Sequence, residues 1–151
     1  MNNIYNFDEY IKEDYNFNEY IKENYRDNMK GRVIIVEDHP ESGMYLKHLL
    51  KGIDDDIIEI ETGKECLELL TENINDVKCI FVDIRLPGIS GFELIEKIIE
   101  IKKDIPIIIE TATPMNLLSH EDILTANKCV GYLEKPFSKS DFLNVISKIS
   151  L

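Results

Sequence analysis

The sequence predicts an α/β fold: a doubly wound parallel sheet of five strands with helices on both faces. Two observations predict it. Between Gly31 and Leu151, five short apolar runs alternate with stretches of helical periodicity. The runs are continuously apolar, which is the pattern of strands covered on both sides. A third observation points to function. Charged or hydroxyl residues close several of the runs, and ligands of open α/β sheets bind beyond the carboxyl ends of the strands.

The elements follow in order. Residues 32–36 (RVIIV) form the first strand and lead into Glu37 and Asp38. A helix over 40–50 begins with proline, whose fixed φ and missing N–H suit a first helical turn, and Gly52 is the expected left-handed stop. Residues 57–60 read as the second strand and 64–70 as a helix. The third strand, 79–82, runs into Asp83, and the loop LPGISG follows. Residues 92–101 have the i, i+3, i+4 spacing of an amphipathic helix. A fourth strand is expected over 105–109, a helix over 117–126, a fifth strand over 131–133 and a last helix over 141–149, capped by Ser140.

Composition bounds the function. The chain has 151 residues, 44% of them hydrophobic and 30% charged, with net charge −12. That is enough for one domain with a real core and a short extension. No run of 18 apolar residues or more appears and the N-terminus has no secretory pattern, so a cytoplasmic protein without a membrane span is expected. The acidic balance argues against direct nucleic-acid binding, which needs clustered Lys and Arg. Cys66, Cys79 and Cys129 are far apart and form no CxxC, so they read as thiols in a reducing compartment.

Residues 1–30 stand apart as an extension. YNFDEYIKE (5–13) recurs as YNFNEYIKE (15–23), and five of the seven tyrosines fall at 5, 10, 15, 20 and 25. A ten-residue period turns a helix face by roughly 80° per repeat, so the aromatics would spiral and not line one seam. The segment reads as a low-complexity tail or as a docking element for another chain or for the domain that begins at residue 31.

In a parallel sheet the strand ends converge on one edge. Glu37 and Asp38 end the first strand, Asp83 the third, Thr111 follows the fourth and Lys135–Pro136 follows the fifth. Three carboxylates crowded together repel and raise at least one pKa unless a cation joins them. An all-oxygen donor set with no His or Cys cluster suits Mg²⁺ or a similar hard ion. Asp83 is then a carboxylate nucleophile able to accept a phosphoryl group. The cation and the Lys135 ammonium would neutralise charge on that group, and Thr111 would hydrogen-bond one of its oxygens.

VIIVED (33–38), VDIRLPGISGFEL (82–94), IPIIIETA (105–112) and GYLEKPF (131–137), in that order, make the chain resemble the response-regulator receiver domains of two-component signalling. The resemblance spans residues 32–151. It implies a flavodoxin-like sheet of strand order 2-1-3-4-5. It implies Asp83 as phosphoacceptor; Glu37, Asp38, Asp83 and the backbone carbonyl of Arg85 around Mg²⁺; Thr111 and Tyr132 as switch residues; and Lys135 as the phosphate-contacting lysine, followed by a cis bond to Pro136. Arg85 and Thr113, two residues after the acceptor and two after the switch threonine, would tune dephosphorylation. The implied partners are a histidine kinase or histidine phosphotransfer protein. A downstream protein target, or a homodimer, would use the face of the fourth helix, fifth strand and fifth helix. Such a receiver is a signalling protein that catalyses its own phosphorylation and dephosphorylation, not an enzyme with a separate substrate.

Some positions depart from the family pattern. Glu110 precedes Thr111 where an apolar residue or Gln is common, and a buried unpaired carboxylate is costly, so partial exposure or a hydrogen bond is expected. Asn127 stands where Gly often ends a helix, and Asn tolerates the left-handed region. His39, beside Asp38, belongs on the rim. A haloacid-dehalogenase-type phosphatase would resemble this chain in its aspartate nucleophile but needs a second Asp two residues on, where Arg85 stands. With Leu151 closing the chain after the last helix, a free-standing receiver is expected. A module cut from a hybrid histidine kinase is the alternative.

Overall fold

The computed structural model describes residues 19–20, 23–24, 31–51, 56–73 and 76–149. Five strands, β1 (Arg32–Val36), β2 (Ile57–Ile60), β3 (Val77–Val82), β4 (Ile107–Thr111) and β5 (Gly131–Glu134), alternate with five helices: α1 (Pro40–Leu50), α2 (Gly63–Asn73), α3 (Gly91–Ile101), α4 (His120–Ala126) and α5 (Lys139–Ile149). The sheet order is β2-β1-β3-β4-β5 and every pairing is parallel. The predicted fold class and strand order are therefore what the chain adopts.

Strand alternation divides the core into two layers. Val33 and Ile35 of β1, Cys79 and Phe81 of β3 and Ile108 of β4 face Leu46, Leu49 and Leu50 of α1 and Phe142, Leu143, Val145, Ile146 and Ile149 of α5. Ile34 and Val36, Ile80 and Val82, and Ile107 and Ile109 face the other way, against Cys66 and Leu70 of α2, Leu94, Ile95 and Ile98 of α3, and Ala126 of α4. The N-terminal extension contributes to the first layer: Tyr20 is 6% exposed and packs with it. Residues 19–20 and 23–24 are helical, and Asn24 Nδ2 donates to the Tyr20 carbonyl at 2.8 Å.

Several local expectations are corrected. Helix α5 starts at Lys139, and its cap is Ser138, not Ser140. The Ser138 hydroxyl accepts from Asp141 N at 3.0 Å while the Asp141 carboxylate accepts from Ser138 N at 3.1 Å, a reciprocal cap that satisfies two orphan donors. Asn127 ends α4 in the right-handed region, φ −68°, so no left-handed residue is needed there. The fourth helix begins at His120, where the Ser119 hydroxyl caps Asp122 N; Leu117, expected to open it, instead ends a short 3₁₀ turn, Met115–Leu117. Strand β4 runs two residues later than expected, carrying Glu110 and Thr111 within the sheet. Gly52 lies outside the described residues. Cys66, Cys79 and Cys129 form no disulfide, and burial pushes Cys66 and Cys129 up to about 12. Among the described residues no helix is long and apolar enough to cross a membrane.

Candidate functional site

Sheet register assembles the site. Val36 of β1 sits beside Val82 of β3, so the next residues, Glu37 and Asp83, emerge side by side. Backbone bonds carry the pairing past the strand ends: Asp83 N donates to Val36 O at 3.0 Å and Glu37 N to Ile60 O at 2.9 Å. On the far side Thr111 pairs with Glu134, and Lys135 N donates to Thr111 O at 2.7 Å. The Lys135–Pro136 bond is cis. Below Asp83, Gly91 opens α3 so close to the strand end that a Cβ would lie 2.4 Å from the Asp83 carbonyl oxygen. Only glycine fits there. The sequence reading missed this constraint, because nothing in the spacing of LPGISG says which glycine touches backbone.

The Lys135 ammonium sits among three carboxyl groups. It donates to Glu37 Oε1 and to Asp83 Oδ2 (3.2 Å), and it lies 3.4 Å from Glu110 Oε2. Oxygens of Glu37, Asp83 and Glu110 approach within 4.8 Å of one another. Asp38 is outside that trio; its Oδ1 is buried without a hydrogen-bond partner. His39 is on the rim, its Nε2 3.9 Å from Asp38 Oδ1.

Glu110 departs from expectation. It is fully buried, and neither carboxyl oxygen has a hydrogen-bond partner. The physical reason is strand alternation: Thr111 turns to one side of β4, and Glu110 turns to the other, above Ile108 and towards Lys135. Burial pushes the Glu110 carboxyl up to about 9, with Glu37 and Asp83 adding to the rise and Lys135 opposing it. At neutral pH Glu110 therefore keeps its proton and meets Lys135 as a neutral acid.

The remaining groups divide in character. Burial also raises Glu37, helped by its contact with Asp83. Burial acts the same way on Asp83, but the hydrogen bond shared with Glu37, the Arg85 backbone N–H and Lys135 outweigh it and hold Asp83 below the usual carboxylate range. For Lys135, burial alone would lower the ammonium, yet the bond to Glu37 and, at the alkaline pH where the lysine titrates, the ionised Glu110 and Asp83 raise it. The site thus holds one firmly ionised carboxylate, Asp83, beside one firmly charged ammonium. Opposed environments on neighbouring groups are the usual mark of divided chemical roles.

Asp83 Oδ1 accepts from Arg85 N at 3.0 Å. The exposed Arg85 side chain crosses to Thr113, Nε to Oγ1 at 3.2 Å. Thr111 is fully buried and its hydroxyl accepts from Thr113 N at 3.3 Å. Half-buried Tyr132 donates its hydroxyl to the Thr113 carbonyl at 2.6 Å. Glu37, Asp38, Asp83, Arg85, Thr111, Thr113, Tyr132 and Lys135, the site residues expected from the sequence, therefore lie at this sheet edge.

The model of the response regulator receiver domain matches residues 33–147. The chain belongs to this family. It is 33% identical over 112 residues to a chemotaxis protein CheY homolog of Campylobacter jejuni, covering 71% of this chain and 82% of that one. It is 29% identical to the uncharacterized transcriptional regulatory protein YrkP of Bacillus subtilis, covering 75% of this chain but 46% of that protein, so it spans about half the length of that relative. Among solved structures, the response regulator TrrA of Thermotoga maritima, determined in complex with Mg²⁺ and BeF, matches with TM-score 0.66 and 29% identity over 79% of this chain and 98% of that one. The chain is accordingly a receiver domain of two-component signalling.

Proposed function

We propose that Asp83 of this receiver accepts a phosphoryl group from a phosphohistidine on a histidine kinase or histidine phosphotransfer protein. The observation that carries this reading is the pairing of an ionised, buried Asp83 with the Lys135 ammonium at the carboxyl edge of the sheet. In the transfer, an Asp83 carboxylate oxygen attacks phosphorus, the P–N bond breaks, and the imidazole nitrogen leaves with the electron pair. The product is an acyl phosphate. Its extra negative charge falls beside Lys135, which already reaches Asp83 and needs little movement to follow the charge outward. Thr111 Oγ1, engaged only as an acceptor from Thr113 N, keeps its proton to donate to a phosphoryl oxygen.

Glu37, Asp38, Asp83 and the Arg85 carbonyl would hold Mg²⁺. The fit rests on the buried Asp38 Oδ1, which has no hydrogen-bond partner among the described residues, and on the clustered carboxyl oxygens of Glu37 and Asp83, a hard-oxygen donor set. When bound, Mg²⁺ supplies charge neutralisation of the transferring group. The receiver thereby promotes its own phosphorylation and the later loss of the group. Output runs through the face of α4, β5 and α5, where Leu124 is 53% exposed, towards a protein target or a second receiver. The receiver is read as residues 31–151 with an extension before it, in the cytoplasm.

The test is labelling by a small phosphodonor with Mg²⁺. Wild type should take up label and Asp83→Asn should not; full labelling of that variant would refute the assignment.

A further inference from the structure

Three carboxyl groups surround the Lys135 ammonium, and they differ in what else holds them. Glu37 Oε2 accepts from His39 N at 3.4 Å, and Asp83 Oδ1 accepts from Arg85 N at 3.0 Å. Each keeps a backbone donor if the ammonium moves. Glu110 has none. Neither of its oxygens has a hydrogen-bond partner among the described residues, and its Oε2 lies 3.4 Å from Lys135 Nζ. The residue is fully buried. A cleft of about 600 Å³ lies beside it, lined also by Tyr45, Ala112, Pro136 and Phe137, and Lys135 is the one cation on its walls. The Tyr45 hydroxyl there already donates to the Phe137 carbonyl at 3.1 Å.

Position along the strands adds a direction. Glu37 and Asp83 lie just past the ends of β1 and β3, whereas Glu110 lies within β4, one residue short of its end. A phosphoryl group on Asp83 would stand beyond the sheet edge, so an ammonium that follows it moves away from Glu110. An ammonium has three N–H donors, and here it has three carboxyl neighbours. A new bond to a phosphoryl oxygen therefore displaces one of them. Releasing Glu110 leaves a buried carboxyl alone, which is unfavourable whether it is neutral or charged.

We propose that Glu110 is a positioning residue that holds the Lys135 ammonium back from the phosphoryl group. The proposal rests on the assignment of Asp83 as phosphoacceptor. When Asp83 carries a phosphoryl group, Lys135 either stays with Glu110 or follows the charge and strips Glu110 of its neighbour. Two consecutive residues of β4, on opposite faces of the strand, thus act in opposite senses. Thr111 stabilises the phosphorylated site, and Glu110 stabilises the resting one. An apolar residue at position 110 would release the ammonium without that loss.

Glu110→Val in the full chain tests this, because a β-branched apolar side chain suits a buried strand position. The probe is beryllofluoride with Mg²⁺, which adds to a carboxylate as a phosphoryl mimic, followed by amide NMR. The Val variant should bind it more tightly than wild type, by roughly five- to a hundredfold for one unpartnered buried carboxyl avoided. Glu110→Gln keeps a buried polar group that needs a partner, so its affinity should fall between those of wild type and the Val variant. In the metal-free protein without beryllofluoride, the Lys135 side-chain resonances, assigned through Lys135→Met, should shift in Glu110→Val and shift less in Glu110→Gln. Unchanged or weaker binding by the Val variant, a Gln variant that matches Val, or Lys135 resonances unmoved in Glu110→Val would overturn the proposal alone. Beryllofluoride binding that persists in Asp83→Asn, or that fails in wild type, would instead overturn the assignment of Asp83 on which it rests.

Discussion

Glu110 offers the sharpest quantitative test. Its carboxyl is fully buried and pushed from 4.5 up to about 9. A folded-state pKa above the unfolded value means that the native state holds the proton more tightly. Stability is then greatest below the unfolded pKa and is lost as pH rises towards 9. The gap, at about 1.4 kcal/mol per tenfold, sets a ceiling of roughly 6 kcal/mol. Within it, the step from pH 6 to pH 8 costs about 3 kcal/mol. Asp83, with its lowered pKa, stays ionised across that window, and the raised Lys135 stays charged, so neither contributes. Glu37 is also raised, by burial and by Asp83, and a carboxyl oxygen of it lies within 4.8 Å of one of Glu110, so the two titrate as a coupled pair. Glu110→Gln keeps the shape of the neutral acid and removes the proton. Urea unfolding in metal-free buffer should show the wild type losing about 3 kcal/mol between pH 6 and pH 8 and the Gln variant losing about 1 kcal/mol or less. Parallel pH profiles for the two proteins would refute a protonated Glu110.

Four further outcomes follow. Chelating Mg²⁺, or replacing both Glu37 and Asp38 with alanine, should abolish labelling by a small phosphodonor, as Asp83→Asn should. Lys135→Ala should still accept some label but bind its partner alike with or without it, which pull-down against the cognate partner would check. Gly91→Ala places a methyl 2.4 Å from the Asp83 carbonyl oxygen, and should cost about 2 kcal/mol or more in urea unfolding and slow labelling with it. Tyr20→Ala empties a position only 6% exposed, and should cost about 2–4 kcal/mol and lower the Tm by roughly 10 °C, while the pattern of labelling stays intact.

Much of the sheet edge was legible because its logic is one-dimensional. β1 and β3 end in continuous apolar runs, VIIV and CIFV, and the first polar residue after each marks the carboxyl end of the strand; this located Glu37 and Asp83 directly. Tyr132 and Arg85 needed the family resemblance, since a lone aromatic in a strand and a lone arginine in a loop carry no signal of their own. Two failures share a cause. Glu110 was expected to find water or a hydrogen bond, and Gly91 passed as a loop glycine, because both are fixed by atoms distant in sequence: Lys135 for one, the Asp83 backbone for the other. The cap of α5 was misplaced by two residues because Ser138 and Ser140 are equivalent as isolated residues, and only Asp141, three after Ser138, distinguishes them.

The match to the family begins at residue 33, yet a side chain thirteen positions earlier belongs to the buried layer that holds the apolar faces of β1, α1 and α5. The unit that similarity outlines and the unit that packs are therefore of different lengths. A gene fusion that spliced this module at its recognisable start would carry away every residue of the phosphoryl site and leave a tyrosine-sized hole in that layer. Interchangeability with other receivers is thus limited by what the core lacks and not by anything at the sheet edge.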